Sequence, residues 1–162
     1  TGRVTGVLGR NGCGKSSLIK AILGKTENME LCGNFAVAPN LVISYINQDT
    51  SFLHGNIKDF CRERSLDESL FCAILRQLDM ERVQFVKNME DYSEGQKKKV
   101  LIAASLMTSA HLYIWDEPLN YIDVFSRMQI EKLLETYAPT MLIVEHDVRF
   151  REKIASKVVE FG

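Results

Sequence analysis

The residues with the clearest chemical content form one run, Gly9-Arg10-Asn11-Gly12-Cys13-Gly14-Lys15-Ser16, a GxxxxGKS spacing. Such a run lets the backbone turn tightly, so that several N–H groups and the positive end of a following helix dipole converge on an anion. Lys15 adds a point charge at the β and γ phosphates of a nucleotide, and the Ser16 hydroxyl can bind Mg²⁺. The candidate phosphate-binding residues are therefore Gly9, Asn11, Gly12, Cys13, Gly14, Lys15, Ser16 and Ser17. A second run, Leu112-Tyr113-Ile114-Trp115-Asp116-Glu117-Pro118, sets two adjacent carboxylates behind an apolar segment. Phosphoryl transfer to water needs an acid for the metal and a group that orients water; Asp116 is the candidate for the first role and Glu117 for the second. Taken singly, the glycines could be a plain turn into a helix and the acids could simply end a strand. Together in one chain they favour a nucleotide site.

These groups must be positioned by the elements around them. Arg3 to Leu8 reads as a strand, and Ser17 to Leu23, closed by Gly24, as a helix, which gives strand, loop, helix. Leu41 to Ile46 is a second strand, ending in Asn47-Gln48. Between Thr50 and Tyr92 the pattern predicts only short amphipathic helices, at Asn56 to Cys61, Leu66 to Leu78 and Glu81 to Phe85. Then follow a helix over Gln96 to Met107, a buried strand over Leu112 to Trp115 with Trp115 in the core, and a helix over Val124 to Tyr137. A strand over Met141 to Val144, a helix near Asp147 to Ala155 and a strand over Lys157 to Phe161 complete the alternation. Strands that are apolar throughout, joined by helices, imply a mostly parallel sheet covered on both faces, with ligands at the strands' C-terminal ends.

Composition narrows the class further. The 162 residues are 46% apolar and 25% charged, which suits one globular domain. Twenty Lys+Arg against 21 Asp+Glu leave a net charge of −1, so no global field points to nucleic acid. The most apolar stretch, Val100 to Met107, is interrupted by Ser105 and falls short of the ~20 residues that span a bilayer. Cys13, Cys32, Cys61 and Cys72 are scattered without CxxC spacing, which disfavours both a zinc site and a disulfide framework and leads us to expect a cytoplasmic location. Lys97-Lys98-Lys99 is read as a solvated face or a contact with a partner domain.

With these motifs in hand, four further segments resemble those of ATP-binding-cassette (ABC) ATPases: Gln48 the Q-loop, Tyr92-Ser93-Glu94-Gly95-Gln96 the LSGGQ signature, Asn120-Tyr121-Ile122-Asp123 the D-loop and Val144-Glu145-His146-Asp147 the H-loop. The resemblance covers nearly the whole chain. It implies an α/β P-loop NTPase fold with a mostly parallel sheet, a single domain over 1–162, and an all-helical subdomain at about 50–104 inserted in a RecA-like core whose first strands lie upstream of this chain. The run Asp116-Glu117-Pro118-Leu119-Asn120-Tyr121-Ile122-Asp123 is similar to the DEPxNxxD form of ABC-F proteins, which lack membrane domains and act on the ribosome. Ser126-Arg127-Met128-Gln129-Ile130 and the flanking motifs look closest to the second cassette of the antibiotic-resistance members.

The resemblance implies ATP and Mg²⁺ as cofactors, with Gln48 contacting the metal and water beside Ser16 and Asp116. It makes Glu117, His146 and Gln48 the catalytic set, with His146 reaching the γ-phosphate. It also implies that Ser93, Gly95 and Gln96 close over an ATP held by a second nucleotide-binding domain, with the ribosome as further partner and no membrane insertion. Glu94 stands where the signature has its first glycine, which puts a carboxylate beside that phosphate and is expected to weaken closure. The alternative is the nucleotide-binding domain of a membrane transporter with a membrane-domain partner; the Asn120 D-loop and the short helical interval between Gln48 and Ser93 speak against it.

Overall fold

The computed structural model describes residues 3–9, 12–25 and 36–161. Among these residues five strands form one parallel sheet: β1 (Val4–Gly9), β2 (Ile43–Ile46), β3 (Leu112–Asp116), β4 (Met141–Val144) and β5 (Lys157–Phe161), in the order β2-β3-β4-β1-β5. The described residues connect them by six α-helices: α1 (Lys15–Ile22), α2 (Ile57–Glu63), α3 (Glu68–Gln77), α4 (Glu94–Met107), α5 (Val124–Tyr137) and α6 (Val148–Ile154). The segment predicted as a third short helix forms a 3-10 turn over Arg82–Val86, with another at Met89–Asp91. Between β2 and β3 the described residues contain helices and turns but no strand.

Each helix start has a local cause. Asn56, Asp67, Asp123 and Asp147 cap α2, α3, α5 and α6, each side chain accepting from a backbone N–H in the first turn. Ser93 opens α4 with a capping box: its Oγ accepts from Gln96 N at 3.2 Å, and Gln96 Oε1 accepts from Ser93 N at 2.9 Å. Helix α1 differs, because its N-cap is Gly14 with φ +104 and no side-chain cap, and its first turn carries no acid. An uncapped, acid-free helix start is what an anion site requires.

The main core joins α3, α4 and α5 to the sheet through Phe71, Leu75, Val100, Ile102, Trp115 and Ile130, all completely buried. Ser105, the polar break in the apolar run of α4, belongs to this packing: it accepts from Trp115 Nε1 at 2.9 Å and lies 2.7 Å from Ser44 Oγ on β2. The lysine run departs from expectation. Lys98 and Lys99 are 2% and 7% exposed, because α4 is buried from Lys98 to Leu106 and the loop after β2 and Asp123 meet these two side chains. Lys99 pairs with Asp123 at 3.3 Å and Lys97 with Glu94 at 3.7 Å.

Candidate functional site

Parallel pairing brings four strand ends together. Asp116 is in register with Val144, Val144 with Val7, and Trp115 with Ile46, so the segments that follow β1, β2, β3 and β4 leave the same edge of the sheet. There a cavity of about 380 Å³ is lined by Gly12, Gly14, Lys15, Ser16, Ser17, Gln48, Asp116 and Glu117. A cleft of about 460 Å³ between α5 and α6 is larger, but the Arg127 to Asp147 ion pair crosses it and no glycine loop enters it.

Gly12 and Gly14 turn the loop with φ +84 and +104, a conformation L side chains rarely adopt. Lys15 is buried at the start of α1, close enough to Asp116 to help hold that carboxyl ionised. Asp116 is 8% exposed; burial and then the neighbouring Glu117 push its carboxyl above the usual range, against a Gln48 side-chain hydrogen bond and the charges of Lys98 and Lys15. A hydroxyl at Ser16 and one carboxylate at Asp116 on the same cavity suit Mg²⁺, which completes its shell with water and substrate phosphates rather than a full protein cage. Among the described residues no cluster of three or more His, Cys, Asp and Glu could hold a metal by itself.

Glu117 is held from several directions. Its φ is +49, its N–H donates to Val144 O at 2.8 Å, Asn120 Nδ2 donates to its Oε2 at 2.9 Å, and His146 Nε2 lies 3.2 Å from its Oε1. A non-glycine residue in that backbone region costs of order 1–3 kcal/mol and persists only where the surroundings impose it. Glu145, which sequence reasoning did not single out, supplies part of that constraint. It is 4% exposed, its Oε2 accepts from Leu119 N at 3.2 Å and its Oε1 from His146 N at 2.9 Å, so one buried carboxylate joins the loops after β3 and β4. The only sequence signal for it was an acid directly after an apolar strand.

The remaining candidates fall elsewhere. Ser93, Gly95 and Gln96 lie at the start of α4 and do not line the cavity. Gly95 sits against the loop after β3: a Cβ there would lie 2.4 Å from Tyr121 O. Glu94 is turned to its own domain, accepting from Thr50 Oγ1 at 2.7 Å as well as pairing with Lys97. Gly9 ends β1, and Cys13, half-buried between the two glycine turns, does not line the cavity. Asn11 and Cys32 lie outside the described residues. No helix among those described is long and apolar enough to cross a membrane.

Known proteins resemble this chain in sequence and in fold. The sequence profile described as "ABC transporter" matches residues 1–120. The ATP-binding protein Uup of Buchnera aphidicola is 33% identical over 93% of this chain and 26% of its own length. The ribosome protection protein VmlR of Bacillus subtilis is 32% identical over 98% of this chain and 29% of its own. The chain thus spans a little over a quarter of these relatives. Among solved structures, an archaeal ribosome recycling factor in complex with a ribosomal stalk protein superposes with a TM-score of 0.77 at 24% identity, over 98% of this chain and 31% of that one; this likeness speaks to the fold alone.

Proposed function

The chain belongs to the ABC transporter family, whose ATPase domains bind ATP with Mg²⁺ and hydrolyse it, and from that premise we propose that it is the cassette of an ABC-F protein that protects the ribosome from antibiotics. In this reading residues 1–162 act as one domain, with the helical stretch at about 50–104 as a subdomain. It works in the cytoplasm with a second nucleotide-binding domain and without membrane insertion.

The observation that carries the reading is the state of Glu117, fixed between Asn120 and His146 at the mouth of a cavity lined by the glycine loop and Asp116. Loop N–H groups from Gly12 to Ser17 and the Lys15 ammonium bind the phosphates; Ser16, Gln48 and Asp116 would hold Mg²⁺, which when bound neutralises charge on the phosphate oxygens. Glu117 accepts a hydrogen bond from the attacking water and orients it, and His146, which keeps Glu117 in place, is in reach of the same region. Ser93 supports a role in trans: its Oγ already accepts from Gln96 N, which leaves the hydroxyl proton for an anion on another domain. Exposed Tyr121, Val124, Phe125 and Met128 beside Asn120 offer an apolar surface for that domain.

Similarity to a ribosome protection protein over nearly the whole chain, together with Asn120 on the Glu117 carboxylate, supports the ribosomal assignment. The test is co-sedimentation of the full-length protein with ribosomes. Glu117→Gln is expected to remain on ribosomes with ATP while the wild type dissociates; equal release of both would remove the ribosomal reading.

A further inference from the structure

Gln48 lines the cavity and hydrogen-bonds Asp116, yet Asn47, Gln48 and Asp49 are all exposed on a loop beyond the end of β2. Turns within the loop shape it: Asp49 N donates to Asn47 Oδ1 at 3.0 Å and Ser51 N to Asp49 Oδ1 at 2.9 Å. Such local bonds do not fix where the loop sits.

Two contacts with α4 do. On one side of Gln48, Lys98 Nζ donates to Asn47 O at 3.4 Å. On the other, Thr50, 5% exposed, donates its hydroxyl to Glu94 Oε2 at 2.7 Å. Lys98 is 2% exposed, and a buried ammonium is unfavourable unless opposite charges face it. Burial pulls its pKa below the usual lysine range, against the fields of Asp116, Glu94, Glu117 and Glu145, so its charge sits among the acids of the site.

We propose that Lys98 and Glu94 are positioning residues for ATP hydrolysis, which clamp Asn47 and Thr50 to the first turns of α4 and so hold Gln48 beside Asp116. The acid at position 94 then serves its own domain. The same helix start carries Ser93 and Gly95, so the clamp ties the placement of Gln48 in one nucleotide site to the surface offered to another. The lysine is held there by its charge and its reach to a carbonyl, neither of which an apolar residue of equal length supplies.

This inference rests on ATP hydrolysis at the site, and two readouts separate it from that reading. The first needs no turnover: in the full-length protein, Lys98→Met and Thr50→Val should each raise amide hydrogen exchange at residues 47–50 by about tenfold relative to the strands, as expected for loss of a local anchor. The second is a mutant cycle on ATP hydrolysis. Lys98→Met is expected to lower kcat by about fivefold or more at nearly constant KM, Lys98→Arg to restore most of it, and Lys98→Met to add less than about twofold in a Gln48→Ala background. Unchanged exchange in both variants, or a Lys98→Met loss that multiplies in full on Gln48→Ala, overturns the clamp. If Lys98→Met does not fold, Thr50→Val carries both measurements, with the same outcomes deciding. A wild type that binds no MgATP would instead sink the nucleotide reading, while the exchange data still judge the clamp.

Discussion

Lys15 and Glu117 divide the work of the site between binding and chemistry. Lys15 is buried where the loop enters α1, and its ammonium meets phosphate oxygens with a charge-assisted bond. Lys15→Ala should weaken ATP binding by about 1.5–3 kcal/mol, the worth of a hydrogen bond to a charged group. Calorimetry that finds the affinity unchanged would take Lys15 out of the site. Residue type and spacing made Lys15, Ser16, Asp116 and Glu117 legible from the sequence, because a glycine loop and paired acids at strand ends together have few other uses. Glu145 and Lys98 were not legible, since what distinguishes them is burial, and burial is set by segments distant in sequence. Glu94 was legible as an oddity, but the direction of its carboxylate was not: it accepts from Thr50 and pairs with Lys97, and both contacts are set by the fold.

Elements carry the site through their ends. Strand β3 runs one residue further than its apolar run implied, because Asp116 pairs in register with Val144. Helix α1 begins at Lys15, ahead of the expected Ser17, since an uncapped glycine start carries none of the usual cap signals. The segment Arg82–Val86 has no fully buried residue, so tertiary contacts do not stabilise an α-helix there and it stays a 3-10 turn. The start of α4 is bound to the loop after β3 by the Lys99 to Asp123 pair and by the close approach of Tyr121 O to Gly95. Burial raises the Asp123 carboxyl, yet hydrogen bonds from Ser126 and the charge of Lys99 bring it down to about 2. Gly95→Ala sets two effects against each other. Alanine improves helix propensity by at most ~1 kcal/mol, but its Cβ meets a backbone oxygen that cannot rotate away, an overpacking worth about 1–3 kcal/mol. We expect the clash to win and the melting temperature to fall by a few degrees; an unchanged or higher value would mean that the start of α4 and the loop after β3 are not in contact.

At the scale of the molecule, alternation of apolar runs and helices made a parallel α/β sheet legible, but not its order. The placement of β1 between β4 and β5 depends on which distant strands pair, and no local pattern encodes it. That order is what gathers the four loops. Ser93 and Gly95, at the start of α4, do not line the cavity of their own domain, so the isolated chain is expected to bind MgATP yet release phosphate slowly, for want of donors that stabilise charge on the γ-phosphate. Its specific rate should rise with protein concentration if two copies can meet. Fast, concentration-independent hydrolysis by a monomer would mean that one domain is complete. The central claim, that this cavity hydrolyses ATP with Glu117 orienting water, is tested most directly by phosphate release from Glu117→Gln against wild type, with ATP binding measured on the same samples. Unchanged binding and a rate lower by about 10²-fold or more are expected, within the usual range for loss of a general base. Phosphate release at the wild-type rate by Glu117→Gln, with binding intact, would contradict it.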